Sequence, residues 1–202
     1  MSLQELKSNF IVNVAEKLFF ERSIFNVTIK DIAKEAGIGE MTIYRYFSKK
    51  QNIVLAVAMR LEKEVYSFFD LSKGKTGFDK LSLFFNSYST IFETSPHYFR
   101  FIRDFDSYML EYREERELNN YEENLDLYKN IFLASYNLGL KDGSVKNIEN
   151  PEMFYYASTH SILELCKKLS YEGLLSQDSS ISKCDEIKTL VKVFLGYLSK
   201  QR

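Results

Sequence analysis

The segment TIKDIAKEAGIGEMTIYRYFSKKQNI, residues 28–53, holds the side chains best suited to surface chemistry. Thr28, Thr42, Tyr44 and Tyr46 bring hydroxyls, and Lys30, Arg45, Lys49 and Lys50 bring cations. Ile32, Ala33, Ile38, Ile43 and Phe47 fall among them as the inward face. Hydroxyls and cations beside an apolar stripe suit a row of phosphates, which accept hydrogen bonds and carry negative charge. A Lys pair at a helix start is electrostatically unfavourable, and a nearby anion resolves the conflict. Alone, a Tyr-x-Tyr-Phe run or a Lys pair reads as a solvated surface over a core. The whole ordered stretch carries the phosphate reading.

The elements that position these groups are short helices. Ile11, Val14, Ala15, Leu18 and Phe19 form one apolar stripe on a first helix. ERSIFNV breaks that pattern. Thr28 caps the next helix, with Asp31 three residues on as a short-armed capping box. Ile29, Ile32, Ala33 and Ala36 form its buried face, and Gly37 suits a left-handed end. A third helix is expected over 39–46, and Lys49 opens a long fourth. Two short helices joined by a Gly-containing turn and packed on a preceding helix make a helix-turn-helix. The second helix of such a unit fits a DNA major groove, about 12 Å wide.

The remaining chain also reads as helices, so the fold class is all-α. KTGFDKLSLFFNSYSTIFET is one helix, and Ser95-Pro96 restarts another. A helix over about 114–139 leads to the loop GLKDGSVKNIENP. The next runs from Pro151 to about Glu172, ended by Gly173, and the last from about Asp185 to Ser199. No alternating strand pattern or internal repeat is present.

Composition narrows the function classes. The 202 residues are 45% apolar with 2 Pro and 8 Gly, enough for a sizeable helical core. Net charge is −1, which argues against a general polyanion binder. Residues 1–60, however, carry nine Lys/Arg against six Asp/Glu. Cys166 and Cys184 show neither metal-ligand spacing nor a disulfide framework, so a reducing cytoplasm is expected. The charged N-terminus is unlike a signal peptide, and no apolar run reaches the ~18 residues of a membrane span. Two distant His and no Gly-rich phosphate loop give no support to an enzyme. No cofactor or metal is expected.

The aromatic residues after position 65 admit two readings. Aromatics at helical spacing are ordinarily core. They also suit a cavity for a flat, hydrophobic or cationic molecule, where Tyr hydroxyls find partners in the ligand. Tyr66, Phe69, Phe85, Tyr88, Phe92, Phe105, Tyr108, Tyr128, Phe132 and His160 are the candidate lining. For His160 a structural role, with Glu164 one turn on, is the default. Cys166 as a redox sensor has only Lys167 and Lys168 beside it.

LFF at 18–20, TIKDIAKEAGI at 28–38 and TIYRYF at 42–47, with Lys50 and Ile53, resemble the TetR family, the tetracycline-repressor-like regulators. The resemblance covers about residues 8–55. It implies a helix-turn-helix DNA-binding domain over 1–48 and a helical effector-binding and dimerisation domain over 49–202. It implies a homodimer on a palindromic double-stranded operator, released by a small-molecule effector. Thr28, Thr42, Tyr44, Tyr46 and Lys50 then match phosphate contacts. Lys30, Glu40, Met41 and Tyr44 match base contacts, with Gly39, Arg45 and Lys49 in the same surface. Ser161, Leu165, Leu190, Val191, Phe194 and Leu198, on the last two helices, are the dimer candidates. An alternative is a DNA-binding dimer with an architectural or protein-partner role and no effector. Ser23 departs from the usual Gly, which puts the following turn in question. Gly39 replaces a Ser or Thr cap, weakening the third helix by a few tenths of a kcal/mol.

Overall fold

The computed structural model describes residues 2–112, 119–171 and 180–200. Among them the chain is all-α, with nine α-helices and no strand. It divides into two compact units, Met1–Lys63 with Arg100–Glu122, and Glu64–Phe99 with Glu123–Arg202. A division by motif falls at residue 48. The division by packing keeps the first part of the fourth helix with the head.

In the first unit, α1 (Leu3–Arg22) buries Ile11, Val12, Ala15, Leu18 and Phe19. Val14, expected in that stripe, is only half-buried, and Val12 takes its place. A 3-10 turn (Ile24–Asn26) leads to α2 (Ile29–Ala36), α3 (Glu40–Tyr46) and α4 (Lys50–Tyr66). The Thr28–Asp31 capping box is formed in both directions. The Thr28 Oγ1 accepts from the Asp31 N–H at 3.1 Å, and the Asp31 carboxylate accepts from the Thr28 N–H at 2.8 Å. Gly37 ends α2 at φ 65°, a left-handed conformation open to glycine at little cost. Arg60 of α4 binds Glu16 and Asn13 of α1, and Phe19 and Phe20 set their rings against Phe101.

Ser23 sits at φ 69° and ψ 151°, the one non-glycine residue with positive φ among the described residues. That region is essentially reserved for glycine and costs about 1–3 kcal/mol in other residues. The compensation is small, since Ser23 Oγ accepts from the Phe25 N–H at 3.4 Å. Ser23→Gly is therefore expected to stabilise the protein by about 0.5–1 kcal/mol after the glycine's extra unfolded-state freedom. Urea midpoints of the two proteins check this, and an unchanged or lower midpoint contradicts it.

The second unit contains α5 (Gly77–Thr94), α8 (Pro151–Leu169) and α9 (Lys183–Leu198), which pack on one another, and most of α7 (Asn119–Asp142). α6 (Pro96–Glu111) begins here, with Pro96 in its first position as the sequence suggested. α8 ends at Leu169 with Ser170 as its C-cap, short of the end expected at about Glu172, where Gly173 itself lies outside the described residues. Phe84, Phe85, Phe132 and Tyr136 are at most 1% exposed and form the centre of the core. The start of α5 meets the end of α7 backbone to backbone. A Cβ on Gly77 would lie inside the van der Waals envelope of the Gly139 N and Cα atoms. The end of α7 and the loop after it then cap α5. Asp142 accepts from the Gly77 N–H at 2.8 Å and Ser144 Oγ from the Phe78 N–H at 3.0 Å. Hydrogen bonds from the Ser144 side chain, then from the Gly77 and Ser144 N–H groups, hold the Asp142 carboxyl below its ordinary range. No described helix is long and apolar enough to cross a membrane.

Candidate nucleic-acid interface

The N-terminus of α2, the start of α3 and the α3–α4 turn enclose an open groove of about 430 Å³. Thr28, Lys30, Glu40, Tyr44, Lys49 and Lys50 line it, all of them residues expected to face DNA. Phe25, Val27, Ile29 and Ser48 complete the walls and were not anticipated. Phe25 is 45% exposed, and an exposed aromatic just before the Thr28 cap was the signal that could have found it.

The hydroxyl and cationic groups differ in availability. Thr28 Oγ1 donates to the Asp31 carboxylate at 2.5 Å, so its hydroxyl is engaged in capping α2. Its bonds to Asp31 pull that carboxyl below its ordinary pKa. Lys30, Glu40, Tyr44 and Arg45 are exposed, and Thr42 and Tyr46 are half-buried. Arg45 lays its guanidinium over the Tyr46 ring at 5.3 Å, which pre-orients both. Met41 is 81% exposed at the start of α3, an apolar tip available to a thymine methyl. Gly39 caps α3 with no side-chain bond, as the departure from Ser or Thr implied. Ile43 and Phe47 are buried and seat α3 on the head. Lys49 and Lys50 are half-buried, and Lys50 turns inward: its Nζ donates to the Ile24 carbonyl at 2.5 Å.

The aromatic residues expected to line one pocket separate between the units. Phe105 packs on Phe101 and Tyr121, and Tyr108 on Phe25, all in the first unit. Tyr66, Phe69, Phe85, Tyr88, Phe92, Tyr128 and Phe132 belong to the second unit, where rings pack on rings. Phe69 meets Tyr128 at 4.8 Å and Tyr88 at 5.4 Å, and Tyr66 meets Tyr128 at 5.2 Å. Phe85 meets Phe132 at 6.0 Å, and Phe92 meets Phe99 at 5.9 Å. The Tyr136 hydroxyl needs no ligand, because it accepts from the Ile148 N–H at 2.9 Å and donates to Asn147 Oδ1 at 3.3 Å. His160 is exposed on α8 beside Tyr156, not in this cluster, because its helix turns that position outward.

Of the dimer candidates, Ser161 is exposed and Leu165, Leu190 and Phe194 are half-buried. Val191 and Leu198 are at most 2% exposed, consumed by the chain's own core. Their outward neighbours Val193 and Tyr197 on α9, and Met153 and Tyr156 on α8, form the exposed apolar face instead. Burial pushes the Cys166 thiol up to about 12, which leaves it protonated and unreactive. Among the described residues, no group of three or more His, Cys, Asp or Glu is placed to hold a metal.

A helix-turn-helix head followed by further helices defines the class: an all-α architecture with a groove of hydroxyl and cationic side chains. Residues 11–57 match the family described as bacterial regulatory proteins, tetR family. The match is confined to that head, which is similar to the DNA-binding head of the family. A helix-turn-helix-type transcriptional regulator of Staphylococcus aureus (strain bovine RF122 / ET3-1) is 42% identical over 50 residues, 25% of this chain and 27% of that protein. The chain thus spans about a quarter of the length of the curated relatives it matches. A transcriptional regulator of Saccharomonospora viridis, solved in complex with choline, superposes with a TM-score of 0.73 at 17% identity, covering 98% of this chain and 100% of that one. The ketosteroid transcriptional regulator of Mycobacterium tuberculosis superposes with a TM-score of 0.68 at 15% identity, covering 96% of each chain. At these identities the likeness concerns the fold.

Proposed function

We propose that the protein is a cytoplasmic, sequence-specific DNA-binding regulator that represses from a palindromic operator as a homodimer. The observation that carries this reading is the groove: Lys30, Tyr44 and Lys49 gather around the start of α3 with Met41 and Glu40 at its tip. Tyr44, Arg45 and the lysines suit phosphates, while Glu40 suits a cytosine amino group and Met41 a thymine methyl. The exposed Met153, Tyr156, Val193 and Tyr197 support an interface through α8 and α9, with Ser161, Leu165, Leu190 and Phe194 beside them. Dimerisation then spaces two recognition helices by about 34–36 Å, one turn of DNA.

A small hydrophobic or aromatic effector is the second half of the reading. An effector that favours a different spacing of the heads weakens operator binding, and by linkage DNA weakens effector binding equally. The Tyr66–Phe69–Tyr88–Tyr128 rings favour a flat molecule or a cation, the chemistry of the choline held by the S. viridis regulator. The buried Ser89 hydroxyl, which has no hydrogen-bond partner among the described residues, supports a polar anchor for it. The ring-on-ring packing favours the alternative, a dimeriser without an effector. A panel of quaternary ammonium and aromatic compounds, scored by operator release, separates the two.

The test of the central reading is selection of bound sequences from a random duplex pool. Recovery of one palindrome is expected. Tyr44→Ala should then lower affinity for it roughly ten- to a hundred-fold while the dimer stays folded. Affinity should fall steeply with salt as neutralised phosphates release counterions. Salt-insensitive binding, or a Tyr44→Ala protein that binds as well as the parent, removes the assignment.

A further inference from the structure

The Lys50 ammonium is held by two groups of the protein itself. It donates to the Ile24 carbonyl at 2.5 Å and lies over the Tyr108 ring, 4.9 Å from its centroid. Ile24 is fully buried in the 3-10 turn, and Tyr108, on α6, is 4% exposed. Phe25 closes the arrangement by setting its ring against Tyr108 at 5.7 Å, nearly edge to face. Phe25 and Lys50 both line the groove, whereas Tyr108 does not.

We infer that Lys50 is a positioning residue of the DNA-facing groove, and that Tyr108 of α6 sets the groove's wall through it. This rests on the DNA-binding reading proposed above. The cation joins three pieces of chain: the turn carrying Phe25 and Val27, the start of α4, and α6. A charge-assisted bond to a buried carbonyl and a ring face beneath the same ammonium fix the turn against α4. Desolvation of the half-buried ammonium lowers its pKa, in keeping with an inward position. Leaving for a phosphate would strip the Ile24 carbonyl of its donor inside the fold. A ring on α6 therefore acts on the groove without touching DNA, and Lys50 holds the groove's shape where the family pattern would use it to neutralise a phosphate.

The test compares Lys50→Met, Lys50→Arg and Tyr108→Leu with the parent on its selected duplex across a salt series. Lys50→Met and Tyr108→Leu should each weaken binding about tenfold, with the slope of log affinity against log salt unchanged. The double variant should be little worse than either single one. Lys50→Arg should recover most of the loss, because a guanidinium can also sit over the ring. A slope reduced by about 0.9 in Lys50→Met marks a lost phosphate contact and overturns the inference. So does a Tyr108→Leu protein that binds like the parent. If Tyr108→Leu does not fold, the salt slopes of the two Lys50 variants decide. If the parent binds no duplex, the function reading fails and unfolding equilibria of the same cycle still decide the Lys50–Tyr108 tie. Strictly multiplicative effects on the unfolding constant would break it.

Discussion

Gly77→Ala is expected to cost the second unit about 3 kcal/mol, near the upper end for a single added methyl in a packed interior. On an ordinary helix the same change is favourable by about 0.5–1 kcal/mol, because alanine loses less freedom than glycine. Here the new Cβ meets the backbone of α7, the N and Cα atoms of Gly139 and the Ser135 carbonyl oxygen 2.5 Å away. Backbone atoms cannot rotate aside as a side chain does, so α5 and α7 must separate. Separation stretches the bonds from the Gly77 and Phe78 amides to Asp142 and Ser144 as well. For a chain of this size the loss corresponds to roughly 6–12 °C in Tm. A thermal scan of the variant reads it directly, and a Tm equal to or above the parent's would mean that the helices part easily.

Phe132→Ala should cost about 3–5 kcal/mol, the range for removing a fully buried aromatic side chain. Phe132 is 0% exposed, and its ring meets Phe84 at 5.5 Å, Phe85 at 6.0 Å and Tyr155 at 5.3 Å. Truncation deletes apolar burial and several edge-to-face ring contacts at once. The void left behind would be lined by rings and would stay dry. The outcome also bears on the aromatic unit's role. Chemical denaturation that finds a loss below about 1 kcal/mol would mean that Phe132 borders open space, as the wall of an effector cavity does. A large loss assigns it to the core and moves any effector site toward Tyr66, Tyr88 and Ser89.

The head was legible in the sequence because its instructions are local. The Thr28–Asp31 box, the left-handed Gly37 and the uncapped Gly39 each involve residues at most a turn apart, where spacing alone decides the geometry. Ser23 was legible as a departure, and the positive φ shows what the departure costs. Lys50 was not legible, since Ile24 and Tyr108 lie far from it along the chain, and a lysine at a helix start says nothing about which way its ammonium turns. The aromatic list was limited in a similar way. Helical spacing marks a residue as facing inward without naming the neighbour, so Phe105 and Tyr108 were grouped with rings of the other unit. On α9, the stripe Val191–Phe194–Leu198 was read as one surface. Burial divides it, with Val191 and Leu198 turned into the chain's own core and Val193 and Tyr197 left outside.

The cap on α5 has a further consequence. The Gly77 and Phe78 amides are covered by Asp142, the last residue of α7, and by Ser144 of the loop that follows. Those two amides thus exchange their hydrogens with solvent only when the end of the other helix has come away. The two termini, some sixty residues apart in the chain, fray as one event, and the free energy of that opening belongs to the pair.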